Sequence, residues 1–258
     1  MKRVKGNLWF NIILIVFLTF IGLFVALFDS YEIVLESLTK LNPIRLVLIV
    51  LWGTSPILIW GVILTIMAKQ ILPTYTYKQG IINAFIGGFM SGVTPSSTGG
   101  QLAQINTYNK QGLRSSQGVG IVWMDFYLHT ITVVVVTLIL FMFNFQSFEN
   151  TSITLLFGFG LLVNIILIVG LSLMVINRRV SESITRWGMN VITRFAWIKN
   201  KEKAREKWSG SLHRFHDAIT EIQTKKERIG LLLGLNVLRI LMYLASSFAI
   251  SRVIGLDL

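Results

Sequence analysis

GIINAFIGGFMSGVTPSSTGGQLAQINTYNKQGL, residues 80–113, is the stretch whose break decides the fold. Ile81 to Val93 is an apolar, helix-like run of 13 residues. At a rise of 1.5 Å per residue such a run covers about 20 Å, short of the roughly 30 Å hydrocarbon core of a bilayer. Thr94-Pro95-Ser96-Ser97-Thr98-Gly99-Gly100 then stops it, because proline removes an amide donor and the glycine pair favours a turn. A polar but periodic segment, Gln101 to Tyr108, carries the chain back toward Lys110 and Arg114. A half-length helix, a break, a polar return and basic flanks predict a re-entrant hairpin over about 80–113. Irregular backbone at membrane depth survives only where protein or a wet cavity covers it, so the hairpin is expected to line a polar site.

The rest of the chain has the composition of a membrane protein. It is 53% apolar and 14% charged, with a mean hydropathy of +0.66. Full spans are expected at about 8–28, 44–68, 119–143, 153–176 and 229–250, each long enough to cross the hydrocarbon. The run at 8–28 has no small-residue cleavage pattern at its end and reads as an uncleaved first span. Pro56 is expected to kink the second span at Thr54-Ser55-Pro56. The fold class that follows is all-α: a polytopic helical bundle with a re-entrant helical hairpin, in one membrane domain over 1–258.

Charge gives the orientation. The N-terminal stub, the hairpin flanks and the hydrophilic segment 177–228 hold 20 of the 24 Lys/Arg. All of them fall on one side if the hairpin enters and leaves on that side, which makes it the cytoplasmic side. Had 80–113 crossed once, the basic segment would lie outside. The segment 177–228 carries 13 Lys/Arg against 6 Asp/Glu. Within it Val180, Ile184, Trp187, Val191, Phe195 and Ile198 recur at helical steps, as do Trp208, Leu212, Phe215, Ile219 and Ile222. Two basic amphipathic helices could lie along the inner headgroups or pack on the cytoplasmic ends of the bundle, and both readings stay open.

Several function classes drop out. The net charge of +12 in a membrane protein reflects topology and anionic headgroups, and no nucleic-acid-binding fold is recognisable, so no direct nucleic-acid binding is expected. The chain has no cysteine and three histidines, His129, His213 and His216, without metal-ligand spacing. No metal, no cofactor and no catalytic motif is expected.

What remains is polar chemistry at membrane depth. Ala84, Gly88 and Gly92 fall at four-residue steps, with Gly87 and Ser91 beside them, and this small-residue stripe suits close helix packing. The break is different. Its amides face the start of the following helix, and Thr94, Pro95, Ser96, Ser97, Thr98, Gly99, Gly100, Gln101 and Gln104 form a candidate lipid- or phosphate-binding set. A capped turn without ligand is the alternative. Arg239 lies near the middle of the last span with Asn236 on its face, and Asp125 lies in the third span with His129 one turn above. Ionisable groups inside spans are functional candidates by default. Asp125 and Arg239 could be a structural ion pair, or Arg239 could meet a lipid phosphate while Asp125, His129 and Asn236 support it. The expected site is where the hairpin break meets Arg239.

The block GGFMSGVTPSSTGGQLAQINTYNKQGLRSSQGVGIVWMDF resembles the signature region of the lysylphosphatidylglycerol synthase transmembrane-domain family. The pattern is a glycine-rich apolar helix, a T-P-x-x-x-G-G-Q turn and a polar helix ending K-x-G. Thr94, Pro95, Gly99, Gly100, Gln101, Gln104, Lys110 and Gly112 meet it. The resemblance implies a helical domain in the bacterial plasma membrane, N-terminus cytoplasmic, that binds and flips phospholipids such as aminoacylated phosphatidylglycerol. It also implies resistance to cationic peptides. The expected partners are anionic or aminoacylated phospholipids, with a separate aminoacyl-transferase domain or self-association as further partners. Two departures stand out: no soluble transferase half follows the last span, and the chain stops where relatives continue, as a fragment of a longer protein would. Two alternatives to the flippase therefore stay open, a phosphatidylglycerol lysyltransferase component lacking its catalytic domain, and a structural or regulatory membrane subunit. Headgroup, transport direction and energy source are not legible in the residues.

Overall fold

The computed structural model describes residues 42–94, 97–143, 151–176, 201–224 and 226–254, with isolated positions between 17 and 39. Apart from those isolated positions, the expected first span at 8–28 falls outside the described residues. So do Pro95, Ser96, the turn around Glu149 and the amphipathic repeat at 180–198. Seven helices are described over their length: α1 Pro43–Ile71, α2 Tyr77–Val93, α3 Thr98–Lys110, α4 Ser115–Phe143, α5 Thr151–Ile176, α6 Lys201–Gln223 and α7 Lys226–Ile254. Among the described residues the chain is all-helical, as the sequence pattern requires. Stretches within α1, α4, α5 and α7 are long and apolar enough to cross a membrane, and they coincide with the expected spans at 44–68, 119–143, 153–176 and 229–250.

The helices begin earlier than the apolar runs suggest, because capping rather than hydropathy sets their ends. At α1, Pro43 takes the first position and the Asn42 side chain accepts from the Ile44 amide at 3.0 Å. At α2, Thr76 and Gln79 form a capping box: the Thr76 amide donates to Gln79 Oε1 at 2.8 Å, and the Gln79 amide to Thr76 Oγ1 at 3.3 Å. The hairpin therefore starts at Tyr77 rather than Gly80. At the head of α4, the Arg114 amide donates to Gln117 Oε1 at 2.9 Å, so that helix starts at Ser115.

Helix α1 continues through Pro56. Proline has no amide to give to the carbonyl one turn back, which belongs to Trp52. The Ser55 hydroxyl supplies that bond at 2.7 Å, and Thr54 Oγ1 donates to the Val50 carbonyl at 2.8 Å. In lipid an orphaned carbonyl costs several kcal/mol, so the hydroxyls next to the proline make the span tolerable.

Helix α2 is held between α1 and α3 by small residues. A Cβ on Gly80 would overlap the Thr65 hydroxyl, and one on Gly61 would sit 2.7 Å from the Ile81 Cα. On the hairpin's inner side, a Cβ on Gly87 would lie 2.8 Å from the Gln104 side chain. One on Gly100 would overlap Ser91 Oγ and lie 2.7 Å from the Gly87 carbonyl. The close-approach positions are thus Gly80, Gly87 and Ser91, with Ala84 buried between. Gly88 and Gly92 of the expected stripe face open space or a distant Ile57. Three-residue and four-residue steps alternate along a helix face, and the strict four-residue stripe drifts off it.

The buried core gathers Ile63, Leu64 and Met67 of α1, Ala84 of α2, Tyr108 of α3, Ile121 and Met124 of α4, Ile222 of α6 and Leu232 of α7. Helix α5 packs on α4 and is otherwise covered by exposed Leu, Ile and Phe, a lipid-facing surface. Phe141 and Phe157 stack at 4.5 Å between centroids where those two helices meet. Of the two amphipathic repeats, the described one packs on the bundle: Phe215, Ala218, Ile219 and Ile222 are buried, with Phe215 edge-on to Trp123 at 5.9 Å. Gly120 of α4 makes room, since a Cβ there would lie 2.9 Å from Ala218 Cβ.

Candidate functional site

Two polar assemblies occupy the bundle. The first lies between α4, α7 and α1. Asp125 and His129 share a face of α4, and Asn236 and Arg239 share a face of α7, since residues three or four apart are neighbours on a helix. Arg239 Nη1 stands 3.9 Å from Asp125 Oδ1, with both side chains largely buried. That distance supports charge attraction but not a good hydrogen bond. The other carboxylate oxygen, Oδ2, accepts from the indole Nε1–H of Trp60 at 2.8 Å. The same indole lies under the guanidinium, 4.7 Å from ring centroid to Cζ. Trp60 thus fixes both partners at once.

The cluster is under-satisfied. Asp125 Oδ1 and Arg239 Nη1, the two facing atoms of the ion pair, are buried and make no hydrogen bond, while the buried His129 and Asn236 side chains lie within reach of each other. Asn236 spends its amide nitrogen on the Leu232 carbonyl of its own helix at 3.0 Å, leaving its oxygen to face His129. Buried polar atoms are ordinarily hydrogen-bonded, so a group of them contributed by two helices is a candidate polar site.

The second assembly is the α2–α3 hairpin. Thr94 has extended backbone, φ −113° and ψ 142°, as a residue before proline must. Its hydroxyl donates to the Met90 carbonyl at 2.6 Å and accepts from the Gly99 amide at 3.0 Å. Ser97 enters α3 with φ 57°, a left-handed conformation, and its amide donates to the Thr94 carbonyl at 3.1 Å. Ser91 Oγ reaches the Ser97 carbonyl at 3.5 Å. The described part of the break is therefore a turn closed by Thr94, which binds two of its amides, those of Ser97 and Gly99. Gln101 is exposed, Gly100 is buried against Ser91, and Gln104 is buried in the hairpin.

The other end of α3 explains the K-x-G pattern. Gly112 has φ +104°, and the Leu113 and Gly112 amides donate back to the carbonyls of Tyr108 and Asn109 at 3.0 and 3.4 Å. This is a Schellman cap, which needs the left-handed residue that glycine supplies. Gln111 beside it ties the hairpin shut, accepting from Tyr75 Oη at 2.6 Å and donating to the Gln79 carbonyl at 2.9 Å.

Inside the hairpin, Asn83 Nδ2 donates to the Gln104 carbonyl at 3.4 Å, while Asn83 Oδ1, Gln104 Nε2 and Tyr108 Oη are buried without a partner. Tyr108 lies within electrostatic reach of Asp125, so this polar interior extends toward the first assembly. Asp125, His129, Asn236 and Arg239 come together as their helix positions suggested. The break itself is partnered by Met90 and Ser91, whereas the described partners of Arg239 are Asp125 and Trp60.

Sequence reasoning missed Trp60 because attention went to ionisable groups. A tryptophan at mid-span, whose indole N–H needs a partner away from water, was the available signal. Chemically the cluster offers a guanidinium with an unspent donor, steadied by a carboxylate and an aromatic face. Such a group binds the oxygens of a phosphate through charge-assisted hydrogen bonds. No group of three His, Asp or Glu that could hold a metal occurs among the described residues.

Comparison with known proteins gives one family. Residues 9–258 match the family model described as "Lysylphosphatidylglycerol synthase TM region". No curated protein and no solved structure matches the chain.

Proposed function

The chain belongs to the lysylphosphatidylglycerol synthase TM region family, and from that premise we propose that it binds phospholipids and moves them between leaflets of the bacterial plasma membrane. Aminoacylated phosphatidylglycerol is the substrate class this reading favours, and export of such a lipid gives resistance to cationic peptides. The N-terminus and the basic segment then lie on the cytoplasmic side, and the α2–α3 hairpin is re-entrant from that side. Helices of 17 and 13 residues support this, since they span roughly 25 and 20 Å and fall short of a full crossing.

The observation that carries the proposal is the state of Arg239. An uncompensated arginine at mid-membrane costs about 2.5–3.5 kcal/mol on insertion scales, so one placed there needs a partner or a wet cavity. A purely structural pair would close to hydrogen-bonding distance and use up its donors. At 3.9 Å from Asp125, with Nη1 unpartnered, Arg239 is instead held ready. A headgroup phosphate drawn in from the inner leaflet completes it, while Asp125 and Trp60 keep the guanidinium in place. Gln104 and Tyr108 form the polar wall on the hairpin side, and Thr94 to Gln101 set the hairpin's shape.

The test is lipid translocation in reconstituted vesicles. Arg239→Gln should lower the rate at least about tenfold, the worth of one charge-assisted hydrogen bond, while leaving the protein folded and inserted. Asp125→Asn separates the lipid reading from a structural pair. A lipid-binding arginine leaves Asp125→Asn folded and partly active. A structural counter-ion makes it unstable, with stability regained but activity still lost in the double variant. Normal transport by a well-expressed Arg239→Gln protein overturns the site.

A further inference from the structure

Where the end of α1, the head of α4 and the middle of α6 meet lies an open cavity of about 460 Å³. That volume falls within the roughly 300–1,000 Å³ of small-molecule sites. Arg114, Arg214, Asp217 and Glu221 stand on its wall, with Gln70 and Gln117 between them. On α6 the three charged residues recur at three- and four-residue steps, so one helix face presents a cation followed by two anions. The Arg214 guanidinium is oriented by two hydroxyls, Nε to Ser116 Oγ and Nη2 to Ser211 Oγ, each at 3.1 Å. The rest of its planar fork stays available.

These opposite charges do not neutralise one another. Among the described residues neither arginine is ion-paired with either carboxylate of the cavity; Asp217 Oδ2 lies 3.7 Å from His213 Nε2 instead. Gln70 Nε2, on the same wall, is buried and has no hydrogen-bond partner. Charges of both signs that share a cavity without pairing are spaced for a ligand that carries both signs.

We propose that this cavity binds a zwitterionic phosphoamine, its phosphoryl oxygens on Arg114, Arg214 and the Gln70 amide, its ammonium on Asp217 and Glu221. The group can come from an aminophospholipid headgroup or from a soluble phosphoamine, since the recognising chemistry is the same. The lipid source rests on the lipid-handling reading above; the site itself does not. It is separate from Arg239, which is enclosed by α1, α4 and α7.

The full chain, purified in detergent micelles, is given radiolabelled phosphoethanolamine in one arm. In the other it is given mixed micelles of phosphatidylethanolamine and phosphatidylglycerol, with retained lipid read by native mass spectrometry. The wild type should prefer the zwitterion in the lipid arm. Arg114→Gln, on an exposed side chain whose loss leaves the helix cap intact, should weaken zwitterion binding about tenfold. Asp217→Asn with Glu221→Gln should remove the preference for phosphatidylethanolamine while phosphatidylglycerol is still retained. Binding in both arms makes the phosphoamine group sufficient, and binding in the lipid arm alone identifies the source as the headgroup; either upholds the site. Absence of binding in both arms overturns it, as does a zwitterion preference that survives the acid-removing pair. Because no translocation step is read, that failure leaves the Arg239 reading standing, and failure of Arg239 in transport leaves this one.

Discussion

The hairpin break and the Arg239 cluster are both polar, and their polar groups are placed in opposite ways. At the break, Thr94 donates to Met90 and accepts from Gly99, and the Ser97 amide closes on the Thr94 carbonyl. The described bonds of the break thus close within a few residues of where they arise. At the cluster, the ion pair between Asp125 Oδ1 and Arg239 Nη1 stands at 3.9 Å, and neither of those buried atoms makes a hydrogen bond. Local satisfaction makes a rigid part, whereas withheld satisfaction makes a receptive one. On the reading proposed above, the residues that look most like a motif build the frame, and the mid-span charge is the group that receives the ligand.

The largest expected effect tests the frame. Gly100→Ala places a Cβ into Ser91 Oγ and against the Gly87 carbonyl, where backbone cannot yield cheaply. It should destabilise by about 3 kcal/mol, the upper range of overpacking, read as a lower melting temperature in detergent. If Gly100→Ala melts like the wild type yet stops transport, the break is itself a ligand site and the contrast fails.

A smaller effect sharpens the other side. Trp60→Phe keeps an aromatic face under Arg239 but removes the N–H that Asp125 accepts. It should cost about 1 kcal/mol of stability, the net worth of one hydrogen bond, and slow transport severalfold by loosening the guanidinium. Unchanged transport would show that the carboxylate needs no anchoring.

The smallest effect is one of pH, at the hairpin's sealed corner. Burial pushes the Tyr75 hydroxyl up to about 12, partly offset by a side-chain hydrogen bond. Below pH 10 the phenol is neutral in folded and unfolded chain alike, so the contribution is fully present. Between about 10 and 12 the unfolded chain ionises while the folded one does not, and stability falls. Tyr75→Phe should flatten that part of the fall in melting temperature between pH 9.5 and 11.5; an identical slope would place the titration elsewhere.

Much of the fold was legible because lipid imposes length and hydropathy together. Runs such as 119–143 can hardly be anything but spans, and the break at Pro95 announces itself. Helix ends were less legible, since Thr76–Gln79 and Arg114–Gln117 are capped by polar residues outside the apolar runs. The small-residue stripe was misplaced by about one position, because glycine spacing alone does not say which neighbour approaches. In the site, the pairing of Asp125 with Arg239 could be read from depth and charge. Trp60 could not be placed from α1 alone, since which face of one span meets two others is set by packing across the bundle. The meeting of break and arginine was expected because both lacked partners in the sequence, which does not show that the Thr94 hydroxyl bonds Met90 and Gly99 beside it.

The hydroxyl at Ser55 has a mechanical side. Where the backbone ladder of α1 loses a rung at Pro56, the replacement is a side-chain O–H on a rotatable bond rather than a rigid amide. Bending there stretches nothing that cannot turn to follow. Trp60 lies four residues on, about one turn beyond this joint. A few degrees of flexure at Pro56 would swing the indole across the guanidinium and shift its grip on the carboxylate. The span that looks like a static wall thus carries its softest rung about one turn from an indole that touches both charges.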